Sequence, residues 1–145
     1  MSTEAAAAIR TALIRLNEAE NSLASLGVEG VIRRIDAILA PNWEGGANGG
    51  PDHSRADERE MERSLFSAFP DYHRVFDDVL IDPPRAAVRW TLTGTHAGEF
   101  GGVAASGQTL RAQGMSLFEF EAGRVRRSWI YLDTAGVIAQ LTVKP

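Results

Sequence analysis

The hydrophobic positions in the first part of the chain repeat with the period of an α-helix. Apolar residues follow i, i+3, i+4 and i+7 spacing over Val28–Leu39, and Pro41 ends this pattern. An earlier helix, with Gly27 suited to its C-terminal cap, is indicated by four apolar residues: Ile9, Leu13, Leu16 and Leu23. We expect two consecutive amphipathic helices, each with one buried face.

A segment rich in turn-forming residues separates these helices from a third. Glycine, asparagine and proline are concentrated between Gly45 and Pro51, which predicts a loop. Ser54, followed three residues later by Asp57, forms a capping box, so a third helix is expected to begin there. Its apolar side consists of Met61, Leu65, Phe66 and Phe69.

After Pro70 the pattern changes to that of β-strands. Four strands are predicted, joined by turns and one glycine-rich connection: Tyr72–Ile81, Ala86–His96, Thr109–Glu121 and Arg124–Leu132. Asp133 then opens a short final helix. Helices followed by strands joined by turns predict an α+β fold with an antiparallel sheet. Because long strands in a small domain curl strongly, we expect the helices to cover the curled sheet as a cone that encloses an apolar pocket.

Composition excludes several classes of function. The 145 residues favour a single domain, and the lack of cysteine excludes disulfides and thiolate metal sites. A net charge of −4 argues against a nucleic-acid partner, and the one basic cluster, Arg124, Arg126 and Arg127, is interpreted as a solvated or interface strand face. Neither a metal-ligand spacing nor a cofactor motif is visible. No apolar run approaches the ~20 residues that span a bilayer and no signal peptide is visible, so a cytoplasmic location fits.

Five motifs follow one another in the second half of the chain. They are Phe69-Pro70-Asp71, Arg89-Trp90-Thr91 with Gly94–Phe100, Ala105-Ser106-Gly107, Phe118–Gly123, and Trp129–Asp133 with Gly136 and Gln140-Leu141. Their order and spacing over residues 69–141 resemble the SnoaL-like polyketide cyclase family of the nuclear transport factor 2-like superfamily. Helix Val28–Leu39 fits the family's first helix, so residues 1–26 are interpreted as an N-terminal helical addition to one domain, 1–145.

The resemblance implies a cone-shaped fold and a range of activities. Family members of known chemistry close rings by intramolecular aldol condensation on polyketide esters, without a cofactor. Relatives on the same fold isomerise ketosteroids, hydrolyse epoxides, dehydrate, assist hydroxylation or only bind. The fold therefore does not fix the reaction.

Other residue types stand where the ring-closing relatives carry their acid–base groups. The resemblance places the family's catalytic aspartate at Ile130, its partner histidine at Ser116 and a glutamine at Gly114. Because isoleucine cannot move a proton, neither the aldol mechanism nor that of the epoxide-hydrolysing relatives carries over residue by residue. Asp133, three residues later, is interpreted as a helix N-cap.

His96 is the best remaining candidate for proton transfer. It ends a predicted strand beside the glycine-rich connection, where a pocket mouth is expected, and some ring-closing relatives use this histidine as acid or base. Histidine changes charge near neutral pH, which suits that role. The alternative is that His96 only bonds the turn to a neighbouring strand. His53 and His73 are expected to be exposed.

Strand parity defines the expected pocket face. The residues on that face are Ser116, Phe118, Ser128 and Ile130. Trp90 and Phe118 would line a pocket for a planar ligand, and Trp43 would close its mouth. Trp129 and Tyr131 then point to the other side of the sheet. Two large aromatic side chains there need covering, which suggests a homodimer through the sheet.

Two functions remain open at this stage. The first is a cofactor-free cyclase or isomerase for a small polyketide-like substrate, in which His96 moves the proton while Ser116 and Ser128 orient a carbonyl or hydroxyl. Its apolar walls would be Trp90, Phe118 and Ile130. The second is a non-catalytic small-molecule binding or accessory protein, favoured by the loss of the catalytic aspartate at Ile130. An accessory hydroxylase-like activity is a further alternative.

Overall fold

The computed structural model describes residues 3–143, which form a layer of helices on one face of a curled β-sheet. The elements are α1 (Thr3–Glu20), α2 (Leu23–Ile38), β1 (Leu39–Ala47), β2 (His53–Ser54), α3 (Arg55–Ala68), β3 (His73–Asp82), β4 (Arg85–Thr95), β5 (Thr109–Glu121), β6 (Arg124–Leu132) and α4 (Thr134–Leu141). The first two residues of the expected N-terminal addition lie outside the described part of the chain. None of the described helices is long and apolar enough to cross a membrane.

The first two helices bury the expected apolar stripes, but the boundary between them differs from the prediction. α1 ends at Glu20, and Leu23 already belongs to α2. Gly27 is not the end of the first helix; it forms a kink inside α2, with φ 70° and ψ 170°. Glycine adopts this backbone conformation at little cost, whereas a residue with a Cβ does not.

α1 is packed into the core of the domain along one side. Its buried residues are Ile9, Ala12, Leu13, Leu16 and Ala19. They belong to the same hydrophobic cluster as Trp90 and Phe118 on the sheet. The C-terminal end of α1 lies beside the start of β3, where Asn21 accepts a hydrogen bond from the Arg74 backbone N–H at 2.7 Å.

The helix start predicted at Ser54 is confirmed, with the N-cap half of the capping box formed. Ser54 is the N-cap residue, and its Oγ accepts a hydrogen bond from the Asp57 backbone N–H at 3.4 Å. Phe66 and Phe69 on the expected apolar side are almost completely buried, whereas Met61 is 49% exposed. α3 therefore joins the small strand β2 at one end to the sheet core at the other.

The four predicted strands are confirmed as β3 to β6, each paired antiparallel with the next. The prediction of a loop between Gly45 and Pro51 is wrong in part, because β1 continues to Ala47 and pairs in parallel with β6. Among the described residues the sheet therefore has six strands in the order β2-β1-β6-β5-β4-β3 and is mixed rather than purely antiparallel. This segment is poor in β-forming residues, and its extended backbone is held by partners such as Ser128, more than 80 positions away.

The helices cover the inner face of the sheet, while part of the outer face is open. The inward residues Val88, Trp90 and Val125 are at most 2% exposed. On the outer face, Met115 and Tyr131 are 49% and 52% exposed. The α+β fold class is confirmed, and the two faces of the sheet have opposite character.

Candidate functional site

Strand register places the predicted pocket residues on the inner face. Ser116 lies opposite Ile130, and Phe118 lies opposite Ser128, so the four side chains share one face of β5 and β6. Tyr131 lies on the other face, as expected from the alternation along β6. The sequence therefore assigned the inner and outer faces of these strands correctly.

Trp90 occupies the middle of this inner face. Its indole Nε1–H donates a hydrogen bond to Ser116 Oγ at 3.0 Å, and the side chain is only 2% exposed. The ring lies directly over Gly114, where an added Cβ would approach the ring atoms to 2.5 Å. The indole thus occupies the space beside Ser116 and Gly114, two of the three positions that carry polar catalytic groups in ring-closing relatives.

A second tryptophan repeats this arrangement on β1. Trp43 donates from its indole Nε1 to Ser128 Oγ at 3.0 Å and is 4% exposed. Its ring lies over Gly45, where an added Cβ would come within 2.4 Å of the ring. Both inward serine hydroxyls therefore accept a hydrogen bond from an indole, and two large rings fill much of the interior.

His96 is fully buried at the end of β4. Its backbone is fixed on both sides, since His96 N donates to the Gln108 carbonyl and Gly107 N donates to the His96 carbonyl, both at 2.9 Å. The imidazole stacks on Phe69 with ring centroids 5.7 Å apart. The His96 side chain, placed by sequence at a pocket mouth, is thus enclosed in the core with 0% exposure.

The hydrogen bonds of His96 define which ring nitrogen carries the proton. The Ser106 backbone N–H donates to Nδ1 at 3.2 Å, and Ser106 Oγ lies 2.8 Å from the same nitrogen. A backbone N–H can only donate, so Nδ1 accepts, and the proton of the neutral ring lies on Nε2. Nε2 is buried and has no hydrogen-bond partner among residues 3–143. An unpaired buried donor of this kind is costly, and a ligand acceptor would relieve that cost.

The connection that holds Ser106 is anchored to α3. The backbone N–H groups of Ala97 and Gly98 both donate to the Ala68 carbonyl, at 2.8 Å and 3.2 Å. Gly98 allows this close approach, because an added Cβ would lie 3.0 Å from a backbone oxygen of α3. The end of α3 and the His96–Ser106 pair therefore form one connected unit.

Asp133 caps α4, as predicted. Its carboxylate accepts a hydrogen bond from the Gly136 backbone N–H at 2.9 Å. An added Cβ at Gly136 would collide with the carboxylate at 2.3 Å, which shows how closely the cap is fitted. The carboxylate is thus engaged by the helix backbone and does not replace the aspartate missing at Ile130.

A buried ionic cluster between the helices and β3 has no counterpart in the sequence-based expectations. The Arg74 guanidinium bonds the Glu20 carboxylate, and Tyr72 Oη donates to the same carboxylate at 3.2 Å. Arg74 also lies over the Phe76 ring at 4.9 Å. Burial raises the pKa of Tyr72, so the phenol remains a neutral donor.

A second ionic cluster lies at the start of α3. Arg55 donates two hydrogen bonds to Glu62, at 2.8 and 2.9 Å, and one to Asp36 at 2.7 Å. Burial raises the pKa of Glu62 to about 7, although the Arg55 guanidinium acts in the opposite direction. The bonds of Arg74 to Glu20 and of Arg55 to Asp36 join different elements, so spacing along the sequence does not indicate them, whereas Arg55 and Glu62 lie seven residues apart on α3 itself. Among residues 3–143 no group of histidine, aspartate or glutamate side chains could hold a metal ion.

The prediction that His53 is exposed is wrong, whereas His73 is exposed as expected. The His53 side chain is 19% exposed; its Nε2 bonds the Glu58 carboxylate, and its ring contacts Trp43 edge-on. The reason for the error is that the segment before α3 is paired to β1 as strand β2 instead of extending into solvent.

The concave regions in the described part of the chain include the following two. One, with a volume of about 370 Å³, lies between β5 and β6 and includes Met115 and Tyr131 of the outer face in its lining. The other, about 220 Å³, lies between α1 and the turns at Pro84 and Gly123. His96 lines neither of them.

The comparisons with known proteins agree with this geometry. The chain has the fold of a protein from Jannaschia sp. CCS1 described as a candidate SnoaL-like polyketide cyclase, with 20% identity, TM-score 0.82, and 96% and 94% of the two chains covered. AclR from Streptomyces galilaeus, described as a candidate hydroxylase, has 24% identity and TM-score 0.81 over 96% and 98% of the chains. IdmH from Streptomyces antibioticus, described as a candidate polyketide cyclase, has 23% identity and TM-score 0.78 over 93% and 99%. A search of curated proteins gives no match.

The fold thus defines a member of the nuclear transport factor 2-like class, a curled sheet closed by helices. The family model for the SnoaL-like polyketide cyclases matches residues 19–141. The chain belongs to the SnoaL-like polyketide cyclase family.

Proposed function

We propose that this protein is a cofactor-independent enzyme of the cyclase or isomerase type that acts on a small, largely apolar polyketide-like substrate, with His96 as its catalytic residue. The observation that carries the proposal is the buried Nε2–H of His96, which has no partner among the described residues. Ser106 fixes the other ring nitrogen, so the N–H direction is set before a ligand arrives.

In this proposal His96 acts first as a hydrogen-bond donor. A neutral imidazole N–H in an apolar site can polarise a carbonyl and protonate the oxygen that becomes negative as an enolate forms. Exclusion of water strengthens this interaction, and the fixed backbone around His96 lowers the cost of orienting it. The proton that the substrate loses must pass to another group, so His96 does not complete the reaction by itself.

The proposed substrate would occupy the inner face of the sheet. Its walls beside His96 would be Phe69, which stacks on the imidazole, and Phe100, which contacts Phe69 edge-on. The walls expected from sequence lie further along the inner face: Trp90 precedes His96 by six strand positions, about 20 Å, and Phe118 and Ile130 lie beyond Trp90 in register. Ser116 and Ser128 lie in that distant region as well and accept hydrogen bonds from the Trp90 and Trp43 indoles.

The test is turnover of a panel of polyketide esters, epoxides and enones by the wild-type protein and by His96→Gln. Removal of the imidazole is expected to lower kcat by about 10²-fold or more, as for other acid–base residues. His73→Gln is the matched control, since His73 is exposed on the outside of the domain. Turnover that is unchanged in His96→Gln would remove His96 as the catalytic residue.

A non-catalytic binding or accessory role on the same fold is the second candidate. It is favoured by Ile130 at the acid–base position and by the tryptophan bonds that occupy Ser116 and Ser128. Tight binding of a compound from the panel without turnover by the wild-type protein would support this role over the enzymatic one.

We also propose that the protein forms a homodimer through the outer face of its sheet. Met115 and Tyr131 are about half exposed there and surround an apolar depression. Exposed large apolar side chains grouped on a sheet face are typical of an interface.

A further inference from the structure

His53 and Glu58 form a histidine–carboxylate pair that lies outside the site described above. His53 is in β2 and Glu58 is in the first turns of α3; His53 Nε2 and Glu58 Oε2 are bonded directly. The two side chains are 19% and 28% exposed. In the neutral tautomer that donates from Nε2 to the carboxylate, Nδ1 carries the free lone pair.

Strand register places this histidine on the inner face of the sheet. His53 lies opposite Gly45 on β1, and Gly45 lies opposite Ser128 on β6. Residues directly opposite in neighbouring strands point to the same face, so His53 and Ser128 share one inner row. Trp43 lies between them: its ring meets His53 edge-on, with centroids 5.7 Å apart, and its Nε1 bonds Ser128.

The free nitrogen of His53 is available to a ligand. The bond to Glu58 is made through Nε2, and the His53 side chain is 19% exposed. The neighbouring strand offers no side chain at Gly45 or Gly46 that would cover it. The imidazole thus has an apolar neighbour on one side, a carboxylate on another and an open lone pair.

His53 and His96 are two separate centres with opposite character. α3 begins two residues after His53, and its last residue, Ala68, accepts the backbone hydrogen bond from Ala97 beside His96. Fourteen helical residues span about 20 Å, so the two histidines do not meet at one atom. His96 presents an N–H and His53 presents a lone pair.

We propose that His53, oriented by Glu58, is a general base for small carbon acids that reach the partly exposed imidazole at the β2 edge of the sheet. The C–H proton passes to Nδ1, the electron pair stays with the substrate and moves toward its electron-withdrawing group, and Glu58 balances the charge of the imidazolium. This site goes beyond the function proposed above, since it uses neither His96 nor Ser106.

The probe for this site is 5-nitrobenzisoxazole, a flat carbon acid with no need for a second catalytic group. A base removes the ring C–H proton, the electron pair forms the nitrile, the N–O bond breaks, and a coloured phenolate is released. Wild-type protein is expected to accelerate this reaction over buffer, and His53→Gln is expected to reduce kcat/KM at least tenfold, within the range of roughly 10²–10⁴ for general bases. His73→Gln is expected to match the wild type.

Glu58→Gln tests the positioning role of the carboxylate. The amide keeps the size and an acceptor oxygen but cannot balance an imidazolium, so we expect a lower kcat with an unchanged KM. Melting temperatures near that of the wild type establish that both variants are folded. A wild-type rate no greater than that of His53→Gln would overturn the proposal. This outcome is distinguishable from a failure of the His96 proposal, which is tested with other substrates and another variant.

Discussion

At the scale of single residues, the two inward tryptophans are fitted to glycines. Trp90 lies over Gly114 of the neighbouring strand, and Trp43 lies over Gly45 of its own strand. The alternation of strand residues predicted that Trp90 and Ser116 face inward. It could not predict that Gly114 leaves room for the indole, because this fit depends on the register between strands and not on the pattern within one.

The fit between Trp90 and Gly114 predicts the effect of a single methyl group. In Gly114→Ala the new Cβ would lie 2.5 Å from the Trp90 ring and 2.7 Å from the Tyr131 carbonyl oxygen. We expect a loss of about 1–3 kcal/mol in the free energy of unfolding, the usual cost of overpacking. Urea denaturation measures this loss.

A double-mutant cycle supplies the control for this substitution. Trp90→Phe makes the ring smaller, so Gly114→Ala in that background should cost less than in the wild type. Equal costs in the two backgrounds would show that the strain does not come from Trp90.

His96 shows how far sequence reasoning reaches for a candidate catalytic residue. Its position at the end of β4 beside the glycine-rich connection follows from the pattern. Its complete burial, the bond from Ser106 N–H to Nδ1 and the stacking on Phe69 depend on how residues 97–108 fold back. The sequence identified the residue, but the nitrogen that carries the proton could be assigned only from the hydrogen bond that the Ser106 backbone N–H donates to Nδ1.

At the scale of elements, α3 connects the most polar parts of the interior. It begins beside His53, carries Glu62 in its middle, and ends at the carbonyl that anchors the His96 connection. The cap at Ser54 was predictable because its donor is three residues away. The Arg55 bond to Asp36 was not, because it depends on the packing of α2 against α3.

Glu62 makes the stability of this helix layer depend on pH. Its pKa is raised from 4.5 to about 7 by burial, so between these values the folded chain holds a proton that the unfolded chain has released. The resulting stabilisation is present below pH 4.5 and is lost as pH rises through 7. At 1.36 kcal/mol per unit of pKa, the Glu62 contribution amounts to at most about 3 kcal/mol.

Glu62→Gln should remove this dependence. The free energy of unfolding of the wild type is expected to fall between pH 5 and pH 8 relative to that of the variant, which has no titrating group at this position. The slope of the unfolding free energy against pH reports the titration of Glu62. The altered bond to Arg55 changes the absolute free energy, so the slopes of the two proteins are compared. Glu60→Gln, at a side chain that is 74% exposed, is the control and should keep the wild-type slope. Parallel curves for Glu62→Gln and wild type would refute the assignment.

At the scale of the whole molecule, the order of elements gave the fold class but not the full sheet. Helices followed by strands predicted an α+β domain, and β3 to β6 were recognised because each carries β-forming residues and pairs with its neighbour in sequence. β1 was missed because Gly45 and Gly46 have low strand propensity and pair with a strand about 83 residues further along the chain. Non-local parallel pairing of this kind leaves no local signal.

The outer sheet face leads to a prediction about assembly. Met115 and Tyr131 lie on neighbouring strands, opposite each other in register, so a second copy related by a two-fold axis would cover both at once. We expect the wild type to sediment as a dimer. Met115→Lys would introduce a charge into each half of the interface and is expected to shift the protein to monomers without loss of helix or strand content.

Ile14→Lys, at an equally exposed apolar residue on α1, is the control and should remain dimeric. A wild type that sediments as a monomer at every concentration, or a Met115→Lys variant that remains dimeric, would rule out this face as the interface.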